Sequence, residues 1–65
     1  MNNYIYQVMS LNNRYMTIPE IVDSVKKNFG ITLTYNKVYY YLNKYPYLYD
    51  RLLMNYRQYK YGVLK

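Results

Sequence analysis

The segment Met16-Thr17-Ile18-Pro19-Glu20-Ile21 constrains this chain more than any other, because it encodes the start of a helix in full. Threonine at the N-cap with glutamate three residues later is a capping box, in which each side chain satisfies a backbone N–H that the first turn leaves unpaired. Met16 before the cap and Ile21 at the fourth helical position form a hydrophobic staple, and Pro19 falls in the first turn, where it loses no hydrogen bond. Ile18, Ile21, Val22, Val25 and Phe29 then follow at the spacing of one buried stripe. Lys26 and Lys27 stand near the C-terminus, where the helix dipole favours cations, and Gly30 supplies the left-handed residue that stops the helix.

A shorter helix is expected before it. Tyr4, Ile5, Val8, Met9 and Leu11 are helically spaced, Asn2 and Asn3 are caps for about two turns or a little more, and Asn12-Asn13-Arg14 ends them. After the central helix, Gly30-Ile31-Thr32-Leu33 reads as a turn. Thr34 is a second N-cap, with Leu33 and Val38 as its staple. The third helix is expected from about Tyr35 to Tyr45, since Pro46 disfavours helical geometry in the residue before it. Successive residues about 100° apart put Val38, Tyr41, Leu42 and Tyr45 on a core side. Asn36, Lys37, Tyr40, Asn43 and Lys44 fall on the other, a polar and cationic face without an aliphatic residue.

Beyond Pro46, the runs Tyr47–Met54 and Tyr59–Leu64 read as two strands joined by the short basic loop Asn55-Tyr56-Arg57-Gln58. Leu48, Leu52 and Tyr56 also fit a helix at i, i+4 spacing, so residues 47–58 stay open between strand and helix, with strand the better fit.

Length and composition bound the rest. The 65 residues have room for one domain, residues 1–65, and a chain this short buries only about 60% of its unfolded surface. With neither cysteine nor histidine there is no disulfide and no ordinary zinc ligand set, so the core comes from packing, with a second copy of the chain as a further source of burial. Thirteen tyrosines can line a core, coat an interface or stack on a base. The charge is uneven. Residues 1–24 set Arg14 against Glu20 and Asp23, a net of −1, whereas residues 25–65 set eight basic residues against Asp50, a net of +7. Such a field attracts polyanions, although solubility alone also explains a basic balance. Abundant Tyr, Asn, Lys and Ile with no Ala match AT-rich codons and hint at a virus or mobile element.

A basic n-region, an apolar leader and any apolar run near the roughly 20 residues of a membrane span are all missing, so an intracellular, cytoplasmic protein is expected. Catalysis has little support. Acid or base work would fall to Glu20, Asp23 and Asp50, the first two of which already serve a helix start, and Gly30 and Gly62 are too isolated to form a phosphate loop. No cofactor and no metal are expected.

Thr17-Ile18-Pro19-Glu20-Ile21 opening one helix, Gly30-Ile31 in a turn, Val38-Tyr39-Tyr40-Tyr41-Leu42 in the next helix and a closing Tyr61-Gly62-Val63-Leu64 together resemble the winged helix-turn-helix family over about residues 3–65. The resemblance implies an α+β, mainly helical domain of three helices with a C-terminal β-hairpin. It also implies a transcriptional regulator that lays the helix 35–45 in the major groove of double-stranded DNA. On that basis Asn36 and Asn43 are candidates to read adenine, Lys37 and Lys44 to meet guanine or phosphate, and Tyr40 to touch a thymine methyl or a phosphate. Arg57 and Lys60 on the hairpin would grip phosphate or the minor groove, Tyr35 would lie near the backbone, and Arg14 is a further phosphate candidate. Two Asn and no Arg on the reading face point to A·T-containing sites. A homodimer is expected, with Tyr4 and Tyr6 of the first helix at its interface.

A helix face of Asn, Lys and Tyr is often simply solvated, and the same fold can carry protein recognition. The competing expectation is therefore a small viral inhibitor or adaptor whose tyrosine-rich surface docks on a host protein. A peripheral membrane role is disfavoured, because no helix here pairs a strongly apolar face with a dense Lys/Arg face.

Overall fold

A computed structural model of the chain describes residues 4–55 and 57–64. Over these the chain forms α1 (Tyr4–Asn12), α2 (Ile18–Phe29) and α3 (Tyr35–Lys44), then β1 (Tyr49–Asn55) and β2 (Gln58–Val63), an antiparallel pair. This is the mainly helical α+β arrangement expected, three helices followed by a hairpin. The caps expected at Asn2 and Asn3, and Tyr56, lie outside the described residues.

The start of α2 is built as the sequence encodes it. Thr17 is extended (φ −74°, ψ 162°), its Oγ1 accepts the Glu20 N–H at 3.3 Å, and Glu20 Oε1 accepts the Thr17 N–H at 2.8 Å. The Thr17 amide, then the Thr17 hydroxyl and the charges of Arg14 and Lys60, hold the Glu20 carboxyl below its ordinary pKa. Met16 and Ile21 are fully buried. At the other end Gly30 takes the left-handed conformation (φ 67°) and its N–H reaches the Lys26 carbonyl at 2.9 Å.

Thr34 caps α3 in the same way, its Oγ1 accepting the Lys37 N–H at 3.2 Å. Tyr45 leaves helical geometry at φ −122°, ψ 65°, as the following Pro46 requires. Its carbonyl then accepts the N–H groups of Leu48 and Tyr49 and turns the chain into β1. Residues 49–55 are strand, which removes the helical alternative, while Tyr47 and Leu48 belong to the turn. Asn55 pairs with Gln58, so the connection is two residues long, and a bulge between Leu53 and Asn55 breaks the register. Arg57 adopts a left-handed φ of 64° there, a position where the sequence supplies no glycine.

The core draws on every element: Ile5, Val8 and Met9 of α1, Ile18, Ile21 and Val25 of α2, Val38 and Leu42 of α3, and Tyr49 and Tyr61 of the hairpin, with Met16 and Leu33 between helices. Leu11, expected on the buried stripe of α1, is instead 72% exposed, because it lies off the face set by Ile5, Val8 and Met9. Two contacts tie the hairpin to the segment between α1 and α2. Met16 and Tyr61 form a two-bond antiparallel bridge (2.9 and 2.8 Å), which adds one residue of a third strand to the outer edge of β2. On the other hairpin face the Tyr15 ring lies flat over Gly62 while its hydroxyl donates to Asp50 Oδ2 at 2.6 Å, so Asp50 is a fixed acceptor. A Cβ at position 62 would meet the Tyr15 ring at 3.0 Å. Gly62→Ala is therefore expected to destabilise by about 1–3 kcal/mol, the range for overpacking. In thermal melts the loss should shrink in a Tyr15→Ala background, where the ring is gone.

Candidate nucleic-acid interface

The helical period that buries Val38 and Leu42 necessarily turns Asn36, Lys37, Tyr40, Asn43 and Lys44 outward, and all five are exposed. Tyr40 is the most open of them, at 72%. Tyr41 and Tyr45 are half-buried and pack on one another with ring centres 5.1 Å apart, tilted by 60°. Tyr49 joins Tyr41 at 5.7 Å and donates its hydroxyl to the Tyr41 oxygen at 3.2 Å. Burial, then that hydrogen bond, pushes the Tyr49 phenol well above its ordinary pKa. This aromatic wedge seats the C-terminal half of α3 on the hairpin and so fixes which way the polar face points.

The electrostatics of that face follow from where the acids are. Glu20 is held by its cap and lies 3.6 Å from Arg14, Asp23 pairs with Lys27 at 3.4 Å, and Asp50 takes the Tyr15 hydroxyl. The chain has no other Asp or Glu, and neither Lys37 nor Lys44 has a carboxylate at ion-pair distance among the described residues. The Lys44 ammonium sits 5.7 Å from the Tyr45 ring. The Asn43 Nδ2 donates to the Tyr39 carbonyl at 2.8 Å, which leaves its second N–H and its Oδ1 available.

Around this face the structure gathers only part of the expected set. Tyr35, 57% exposed, and Arg57 line one groove between α3 and the hairpin, together with Tyr39 and Tyr59. Lys60 does not join them. Strand alternation puts it on the face opposite Tyr59 and Tyr61, where its charge acts on Glu20. Arg14 is likewise on the Glu20 side.

Two residues absent from the expected set stand beside α3. Tyr39 follows Tyr35 by one helical turn and walls the same groove. Arg51 shares with Asn43 a second cleft, between α3 and β1, and its guanidinium lies 4.6 Å from the Tyr59 ring centre. A period-two count from Tyr49 would have found Arg51, because residues 49 and 51 share a strand face.

Chemically, this surface offers amide groups able to pair with an adenine edge, ammonium and guanidinium groups for phosphate or guanine, and tyrosines for methyl or backbone contact. Tyr4, expected at a dimer interface, packs on Phe29 at 4.9 Å, and Tyr6 approaches Tyr49 at 6.3 Å. Among the described residues no helix is long and apolar enough to cross a membrane. A scan against protein-family models and searches of curated proteins and of solved structures returned no match.

Proposed function

We propose that this chain is a winged helix-turn-helix DNA-binding protein, a transcriptional regulator that enters the major groove with α3 and lays the hairpin beside it. The observation that carries this reading is the exposed α3 face of Asn36, Lys37, Tyr40, Asn43 and Lys44, whose two lysines have no carboxylate at ion-pair distance among the described residues. Ten helical residues span about 15 Å, a length that suits a major groove about 12 Å wide. Asn36 and Asn43 read adenine edges, the lysines and Arg57 meet phosphate, and a preference for A·T-containing sites follows from the amides. A homodimer would present two such helices about 34 Å apart.

The test is duplex binding by fluorescence anisotropy over a salt series, followed by selection from a random duplex pool. The protein should bind with an affinity that falls steeply with salt. The double variant Asn36→Ala/Asn43→Ala should keep most of that affinity and lose the sequence preference, since each bidentate amide contact discriminates by about 1–3 kcal/mol. An unchanged preference would remove the reading role from these residues.

A specific observation favours a second reading, protein recognition. Tyr47 is 69% exposed, and Leu52, Leu53 and Met54 form an exposed aliphatic run on β1. Exposed tyrosine and methionine are enriched at protein interfaces, and tyrosine is among the residues that carry most of the binding energy there. A stoichiometric protein partner retained in high salt after nuclease treatment would favour it over DNA binding.

A further inference from the structure

We infer that Arg51 is the centre of an oxyanion site, in the cleft between α3 and β1, that takes a backbone phosphate of the bound duplex. The duplex as the source of the phosphate rests on the function proposed above; the oxyanion site itself does not.

Three observations converge on it. The guanidinium lies over the Tyr59 ring, 4.6 Å from its centre, so a cation–π contact holds it in place beside the cleft. Its N–H donors have no carboxylate at ion-pair distance among the described residues, and the neighbouring Asp50 accepts from Tyr15. The cleft, of about 330 Å³, is lined by Arg51 together with Asn43 and Asp50, the Asp50 carboxylate being the one held by Tyr15. A fork of guanidinium donors matches two oxygens of one phosphate.

Position separates this role from base reading. Asn36 and Tyr40 lie at the centre of the outward face of α3, whereas Arg51 is set back on the strand beside the helix, where the strand backbone of a duplex borders the groove that α3 enters. A guanidinium already held in place loses little freedom on binding, unlike a long side chain that must first be ordered. Tyr59 is a positioning residue, since it acts only by holding Arg51 in place.

Two measurements on the full chain test the site. In an NMR titration with inorganic phosphate, the Arg51 Nε–Hε resonance should shift saturably, while Arg14 Nε–Hε should not. Tyr59→Leu should weaken the Arg51 response severalfold. In duplex anisotropy, Arg51→Ala, with its fold checked by thermal melting, should lose about 10-fold in affinity or more and flatten the log–log salt slope by about 1. Arg51→Lys should restore the slope but not the affinity, because an ammonium carries the charge without the guanidinium fork. A silent Arg51 resonance, or Arg51→Lys equal to wild type in both readouts, overturns the site. A phosphate response with Arg51→Ala binding duplex within twofold of wild type overturns the duplex as its ligand. A phosphate response in a protein that binds no duplex at all leaves the oxyanion site standing and removes the DNA-binding function.

Discussion

Ile21→Ala is expected to unfold a substantial fraction of the protein near physiological temperature. Ile21 is fully buried at the fourth position of α2, in the same core as Met16 and Val25. Truncating such a side chain removes its transfer free energy and leaves a cavity, together about 2–5 kcal/mol. A domain of 65 residues is held by about 3–10 kcal/mol in all, at the usual contribution per residue. One substitution thus removes much of the margin, and the melting temperature should fall by roughly 10 °C or more. Leu11→Ala is the matched control. Its side chain is 72% exposed, so the same chemical change there should stay within about 0.5 kcal/mol. Circular dichroism melts of the two variants check both statements. Equal losses would mean that α1 buries a different face from the one described.

The second large effect is on binding. Lys37→Glu/Lys44→Glu should weaken duplex binding at least ~100-fold, because each reversal replaces attraction to a phosphate with like-charge juxtaposition. It should also flatten the salt slope by about 2. The fold should hardly notice. Lys37 lies in the first turn of α3, where the dipole welcomes an anion, and Lys44 in the last, where it does not, so the two contributions of about 0.3–1 kcal/mol oppose each other. Lys26→Glu/Lys27→Glu makes the same change in net charge in the last turn of α2 rather than on α3. It should cost only a few-fold. Anisotropy on both double variants measures the contrast, and a similar loss in each would make the binding a property of net charge rather than of α3.

How far the sequence revealed this arrangement depended on how local each device is. The box of Thr17 and Glu20, the stop at Gly30, the cap at Thr34 and the break before Pro46 are written within a few residues, and each lies where the sequence puts it. The two faces of α3 were legible for the same reason: a period of 3.6 applied to ten residues leaves little freedom. What was not legible depends on partners distant in sequence. The bridge between Met16 and Tyr61 joins residues far apart in the chain, and no local pattern announces it. Whether Lys60 or its neighbours face α3 depends on the phase of the strand, which packing of Tyr59 and Tyr61 toward the helices decides. A longer basic loop was expected, and Asn55 and Gln58 instead pair to leave a tight turn with Arg57 at positive φ. Arg51 escaped notice because it sits in a run of leucines that reads as strand filler, and only the ring of Tyr59 across the sheet gives it a role.

Disulfide trapping tests most directly whether α3 enters the major groove. The chain has no native cysteine, so Asn36→Cys, Asn43→Cys and Leu11→Cys each introduce a unique thiol. Each variant is incubated with duplexes carrying a thiol tether on the major-groove edge of an adenine. Efficient cross-linking through positions 36 and 43, with almost none through position 11, is the result predicted here. Cross-linking that is strongest through position 11, or equally weak at all three in a protein that still binds duplex, would contradict it.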